Sequence, residues 1–511
     1  MSNKNRPFLS LFPRLLSRAG LALFFVAGAG IAGAEQVVHE LTLADCVELA
    51  LQNNLDLRLE RVSHESARTD ISAAQGGYDP ALTASATRRH EETLGRADRD
   101  TLERANAGSD TDTDSWGVGL AGETALAGLR YDISAKSGDA SGTTGGNPFD
   151  TSTGSAGITL TQPLLKGFKT GGARYQVAIA RKQFAESGAQ LENKMQNILM
   201  QVESAWYSLI QARESNRVQE EAVRLATQLH ADNQRKVQIG AMAILDEKQA
   251  ESQAAAARAD LSAARRTYAE AQNKLKALVF ADHRQQRAAE IRAVGELSAE
   301  PVMVDGAASG EQALANRPDL RQARLALARQ EIVAGYQKNQ TLPALDLVGG
   351  YGVAATHEER QGDVWERMQS ADEPFWTLGV TLSIPLGNRT ARARHRQSVL
   401  ATERMQLELR QLEETALVEV DNAANAVASG LERVQATREA REYAEQALDA
   451  EQRKLDSGKS TSFIVLQLQR DLTQARQSEI SALADYNQQV ANLALAEGNM
   501  LVHHGIQPPE D

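Results

Sequence analysis

Apolar residues along this chain follow two periods. From Pro163 to Pro301, and again from Pro385 to Pro508, no proline intervenes, and both stretches are rich in Ala, Gln, Glu, Arg and Leu. These residues lose little side-chain freedom in a helix, whereas proline would break one, so the spacing predicts long helices. With the lone glycines Gly240 and Gly458 as turns, the uninterrupted segments run from Ala173 to Ile239 and from Ala391 to Ser457. At about 1.5 Å per residue each would reach roughly 100 Å, a length that no compact globule needs. Along the two proline-free stretches apolar positions recur every seven residues, as in Met195, Val202 and Leu209, or Tyr486, Leu493 and Met500. A repeat of seven keeps one narrow seam turned toward a partner helix. An opening helix near Leu43–Gln75 and a returning one near Ala241–Val279 together match the long helix, so the two short ones can lie end to end beside it.

Between the helices the period changes to two. Leu82, Ala84 and Ala86 alternate with Thr83, Ser85 and Thr87, and Ile158 and Leu160 with Thr159 and Thr161. Leu345, Leu347 and Tyr351 alternate with Asp346 and Gly350, and Trp376, Leu378, Val380, Leu382 and Ile384 with Thr377, Gly379, Thr381 and Ser383. Segments of about ten residues with one apolar face and one small or polar face meet the requirement of a membrane-spanning β-barrel.

The chain also repeats itself. Ala50-Leu51-Gln52-Asn53-Asn54-Leu55-Asp56-Leu57 resembles Ala313-Leu314-Ala315-Asn316-Arg317-Pro318-Asp319-Leu320, and Pro80-Ala81-Leu82 falls on Pro343-Ala344-Leu345 at the same offset of 263. Gly157, Leu160 and Pro163-Leu164 fall on Gly379, Leu382 and Pro385-Leu386 at an offset of 222, while Gly240, Arg258, Tyr268 and Leu275 fall on Gly458, Arg476, Tyr486 and Leu493 at 218. The pattern is one unit of helix, strand, strand, long helix, turn and helix, written twice. The first copy carries 41 extra residues between its two strand signals. Within them Ser115–Gly122 and Leu129–Ala135 alternate, flanked by charged and by Gly/Ser/Thr-rich segments that suit loops facing water. This predicts an added hairpin, which either extends as an extracellular feature and leaves four barrel strands per chain, twelve in a trimer, or enters the barrel and makes six per chain, eighteen in a trimer; the extracellular placement is the expectation.

Four strands cannot close a barrel, for which about eight are needed, and an open sheet edge in lipid strands its backbone groups at several kcal/mol each. The chain must therefore be an oligomer.

Composition narrows the setting. The first 34 residues place Lys4, Arg6, Arg14 and Arg18 before an apolar run from Leu21 to Ile31 and then Ala32-Gly33-Ala34, the arrangement of a signal peptide cut after Ala34. Its loss takes the formal charge from −12 to −16. An acidic chain lacks the clustered Lys and Arg that counterion release from nucleic acid requires. Beyond the N-terminus no run of eighteen apolar residues occurs, which excludes a bundle of membrane-spanning helices. The single cysteine, Cys46, excludes a disulfide framework and lies twelve residues past the cut, away from the place of a lipid anchor. No phosphate-cradling glycine loop, nucleophile elbow or His-Glu-x-x-His occurs, so no enzyme reading, cofactor or metal gains support. His503-His504 has no companion ligand at metal spacing and reads as part of a flexible C-terminal tail.

Together the signal peptide, the paired copies, the Pro-Ala-Leu strand entries, Gln162-Pro163-Leu164-Leu165, Ile384-Pro385-Leu386-Gly387 and the glycine-turned helices resemble the outer membrane efflux (TolC-like) family. The resemblance covers almost the whole mature chain. It implies a mixed α and β membrane protein: a homotrimer whose twelve-stranded barrel in outer-membrane lipid continues into an α-helical barrel of about 100 Å across the periplasm. On this reading residues 1–34 are the signal peptide, 35–280 the first repeat, 281–310 a linker in an equatorial belt, 311–504 the second repeat and 505–511 a tail. The channel is passive, and an inner-membrane transporter joined through a periplasmic adaptor does the pumping. The resemblance makes Gly240, Ala241, Gly458 and Lys459 the periplasmic tips where an adaptor docks. The family's best-known members carry an acidic ring just after the second tip, where this chain has Ile464 and Gln467; the aspartate of the first tip is kept as Asp246. The expected closure is therefore apolar, by Phe463 and Ile464, since apolar constrictions gate by dewetting. The rival reading, a soluble periplasmic adaptor with coiled-coil hairpins, needs no lipid-facing strands.

Overall fold

A computed structural model describes residues 38–95, 108–144, 146–282, 289–358 and 373–507, with positions 284, 287, 364, 368 and 370. The signal-peptide reading and the last four residues of the tail lie outside the described residues.

The long helices form where the sequence places them: α3 spans Gly172–Gln238 and α7 spans Arg389–Asp456. Each turns back into a shorter helix, α4 (Ile244–Val279) and α8 (Ser462–Ala496). The opening helix differs from expectation. It is two helices, α1 (Leu43–Asn53) and α2 (Leu55–Gln75), because Asn54 leaves the helical backbone, accepts from the Leu57 N–H to cap α2, and donates its amide to the Leu278 carbonyl at the end of α4. The same break recurs 263 residues on, between α5 (Gly306–Asn316) and α6 (Pro318–Gln340), where Arg317 is extended and Pro318 takes the first helical position. Contacts of Asp56 with Lys194 and of His64 with Ser187 lay α2 antiparallel along the upper part of α3. Since α4 follows its lower part, two short helices do lie end to end beside one long one.

The main core sits midway along α3, where Leu199, Val202, Leu209 and Ile210 meet Cys46 and Val47 of α1, Leu275 and Val279 of α4, and Met500 and Leu501 of a final turn, α9 (Met500–His503). Next to it β1 (Val38–Leu41) pairs in parallel with β6 (Glu290–Ala293) of the 281–310 linker, a small sheet that no alternation in the sequence announces. Residues 500–506 are docked here, so the described part of the expected flexible tail is packed on the core. His504 Nε2 lies 3.1 Å from the buried Glu203 carboxylate, Gln196 donates to the Gly498 carbonyl, and Ile506 packs on the core.

At the other end of α3 lies one antiparallel sheet of six strands: β2 (Ala81–Thr93), β3 (Ser109–Glu123), β4 (Arg130–Thr144), β5 (Asn147–Pro163), β7 (Ala344–Glu358) and β8 (Pro374–Ser383). The predicted hairpin is β3–β4. It is longer than its apolar core suggested and stands inside the sheet, paired with β2 on one side and β5 on the other. Its turn explains why: the Thr124 N–H bonds to Leu129 and Gln162 donates to the Ala127 carbonyl, so residues 124–129 sit at the helical end of the sheet beside the foot of β5. The hairpin thus runs the sheet's full height.

Register sorts the side chains by face. Leu82, Leu120, Ile133, Ile158, Tyr351 and Trp376 form one cross-strand row on one face, and the adjacent row of the other face reads Thr83, Gly119, Ser134, Gly157, Gly352 and Phe375. The apolar row leaves Trp376 76% and Leu82 74% exposed in the single chain. Toward the loop end the same face turns charged, with Arg88 and His90 facing Asp114 and Asp112.

Candidate gate and docking tips

The two helical turns farthest from the sheet are built alike. At the end of α3 the Gly240 N–H bonds to Val237 and the Ala241 N–H to Lys236; at the end of α7 the Gly458 N–H bonds to Leu455 and the Lys459 N–H to Lys454. This pair of bonds satisfies the last helical carbonyls and requires a left-handed residue, which glycine supplies at φ +76° and +73°. A β-carbon at either glycine would touch nothing, so backbone conformation alone selects it.

The tips differ in chemistry. The first is apolar: Ile239 is 79% exposed and Ile244 and Leu245 are each 67% exposed. The second carries Ser457, Lys459, Ser460 and Thr461. Asp246 lies in the first turn of α4, next to Glu247, where a carboxylate complements the helix N-terminus. Phe463, Ile464 and Gln467 share the exposed face of α8, while Val465 and Leu472 on its other face pack with Leu448 of α7. Half of Phe463 remains exposed in the single chain.

A residue that the sequence reading missed joins the two tips. Asn233, fully buried near the end of α3, donates Nδ2 to the Asp246 carbonyl and accepts at Oδ1 from the buried Ser462 hydroxyl, 3.1 Å away. It therefore ties the start of α4 to the start of α8, directly beside Phe463. Its counterpart at offset 218 is Glu451, whose carboxylate accepts from Ser460 at 2.5 Å and from Lys454 at 2.9 Å. The Ser460 bond, aided by the Lys454 charge, holds that carboxyl below its usual range. Both turns thus fold over a polar side chain at one repeat position, and that offset was the available signal. Among the described residues no acid, histidine or cysteine cluster could hold a metal ion, and no helix is long and apolar enough to cross a membrane.

Comparison with known proteins is consistent with this architecture. The model of the outer membrane efflux protein family matches residues 124–279 and 310–499. The outer membrane efflux protein BepC of Brucella suis biovar 1 (strain 1330) is 26% identical over 362 residues, spanning 68% of this chain and 73% of BepC. The Campylobacter jejuni CmeC outer membrane channel superposes with a TM-score of 0.66 at 16% identity, covering 92% of this chain and 87% of its own. The open state of the Neisseria gonorrhoeae MtrE outer membrane channel gives 0.63 at 17% identity, covering 90% and 89%.

Proposed function

The chain belongs to the outer membrane efflux protein family, and from that premise we propose that it is the outer-membrane channel of a tripartite efflux or type I secretion system. Three copies of a chain built from two repeats enclose a passive exit duct. Its sheet lies in outer-membrane lipid, its helices cross the periplasm, and its tips meet an adaptor that links it to an inner-membrane transporter. The observation that carries this reading is the two-faced sheet: an apolar row exposed on one side and, on the other, a row that is small or polar except for Phe375 at its end, above helices of about 100 Å. A soluble adaptor would have no use for such a face.

Closure of the duct falls to Phe463 and Ile464 at the start of α8, with Gln467 one turn on and Asp246 across the Asn233 tie. Docking falls to the glycine turns, Gly240-Ala241 and Gly458-Lys459, with the apolar first tip giving an adaptor a surface to bury. The test is reconstitution of the mature protein. A detergent-extracted, heat-modifiable complex with the mass of three chains that conducts ions across a planar bilayer is the expected result; a soluble, non-conducting monomer would refute the proposal.

A further inference from the structure

We infer that the membrane wall of this channel has eighteen strands, six from each copy, instead of the twelve that the family resemblance implies. The inference rests on the trimeric channel proposed above and concerns how that channel is closed. Among the described residues β2 pairs only with β3 and β8 only with β7, so each chain ends in two open edges. In lipid such edges must be covered, and the six strands alternate in direction, so β8 of one copy meets β2 of the next antiparallel, as neighbours within the chain already do.

Three observations place β3 and β4 in the wall and not above it. Their pairing is unbroken over the full strands, from Ser109–Thr144 to Glu123–Arg130 within the hairpin, from Ala81 to Thr93 against β2, and from Arg130 to Thr144 against β5. Their turn lies at the helical end, whereas an extracellular extension would turn at the far end. Their faces also match their neighbours: Val118, Leu120, Ile133 and Ala135 continue the apolar side, while Gly117, Gly119, Ser134 and Lys136 continue the small and polar side. Large exposed apolar residues on one parity and glycine or serine on the other fit a lipid boundary around an open, watery bore. A β2–β3–β4–β5 order also leaves no place for β2 against β5 unless the hairpin is removed.

Width follows from strand number. With strands about 4.8 Å apart and tilted by about 40°, twelve give a backbone diameter of about 24 Å and eighteen about 36 Å. At that size barrels keep an aqueous lumen, so the outer-membrane section sets no tight limit on what passes; selection is left to the periplasmic end.

Nitroxide labels on the full mature protein in lipid bilayers provide the test, placed one at a time at Ile133→Cys, Ser134→Cys, Ala135→Cys and Lys136→Cys of β4. Native Cys46 is fully buried and does not compete. Val380→Cys and Thr381→Cys on β8 serve as references. The expected result is alternation: oxygen reaches labels 133 and 135, and a water-soluble nickel chelate reaches 134 and 136, as at 380 and 381. Nickel access at all four β4 positions, with alternation kept on β8, would overturn the inference while leaving the channel reading intact. Loss of alternation on β8 as well would remove the membrane wall itself, and the inference with it. Electron cryo-microscopy of the unmodified trimer gives an independent count: eighteen strands support the inference and twelve refute it.

Discussion

Phe463 and Ile464 are large apolar side chains left about half exposed on the open face of the start of α8 in the single chain, which is unfavourable unless copies bring them together. If they close the duct by excluding water, Phe463→Ser and Ile464→Ser should each raise the conductance of the reconstituted channel, whereas Gln467→Ser, a polar exchange, should change it little. Unchanged conductance in both serine variants would refute the apolar gate. Glu451 makes a prediction about pH. Its folded carboxyl lies below the ordinary value of 4.5, so its contribution to the second tip is present above that value and disappears as pH falls through the folded one. Backbone amides of residues 457–461, corrected for intrinsic rates, should lose protection on acidification, and Glu451→Gln should abolish that step. Cys46 behaves in the opposite sense: burial, reinforced by the Asp45 charge, pushes its thiol up to about 12. Its thiol should stay unreactive toward a water-soluble maleimide at pH 8 in the native protein and react once unfolded. At this scale little was legible in advance. Gly240, Gly458, Phe463 and Ile464 stand out by type and position, but Asn233 does not, because a single amide among charged neighbours carries no local mark of being buried between two hairpins.

Elements were far more legible than residues. Proline-free, alanine-rich stretches fixed α3 and α7 to within a residue or two, since length and composition leave helix as the only economical conformation. The breaks at Asn54 and Arg317 were concealed, because apolar periodicity continues across them and only capping chemistry interrupts it. Asn54 should therefore be costly to replace. Asn54→Ala removes the α2 cap and deprives the Leu278 carbonyl of its donor, an expected loss of about 1–2 kcal/mol. Faster amide exchange in the first turn of α2 and at the end of α4 would register it, and unchanged exchange at both would contradict it. The docking of residues 500–506 was likewise hidden: His503-His504 reads as solvent-facing until Met500 and Leu501 are seen in the core and the buried Glu203 carboxylate is found against His504 Nε2. His504→Ala strips that carboxylate of a partner and should expose residues beyond Gly498 to limited proteolysis. Strand β1 escaped detection because four residues are too few to show a period, and its partner lies 252 positions away along the chain.

For the whole molecule the eighteen-strand wall proposed above relates one chain's six-stranded sheet to a closed barrel. Cross-strand register permits an unusual deletion. Leu82 of β2 and Ile158 of β5 stand in the same row on the same face, separated only by Leu120 and Ile133 of the hairpin. Excising residues 109–144 removes two whole strands, one up and one down, so β2 and β5 remain antiparallel and can pair with Leu82 opposite Ile158, without turning any side chain to the wrong face. The shortened chain should still assemble as a heat-modifiable trimer in the outer membrane. Its membrane ring, viewed end-on in averaged electron images, should shrink by about a third, from about 36 Å to about 24 Å across the backbone, since diameter scales with strand number. An unchanged ring would mean that the hairpin never formed part of the wall. Removal of an odd strand, such as residues 130–144 alone, would bring parallel neighbours together across a connection too short to join them and should abolish assembly. The contrast between the two deletions separates a wall built from paired strands from one that tolerates any loss of sequence.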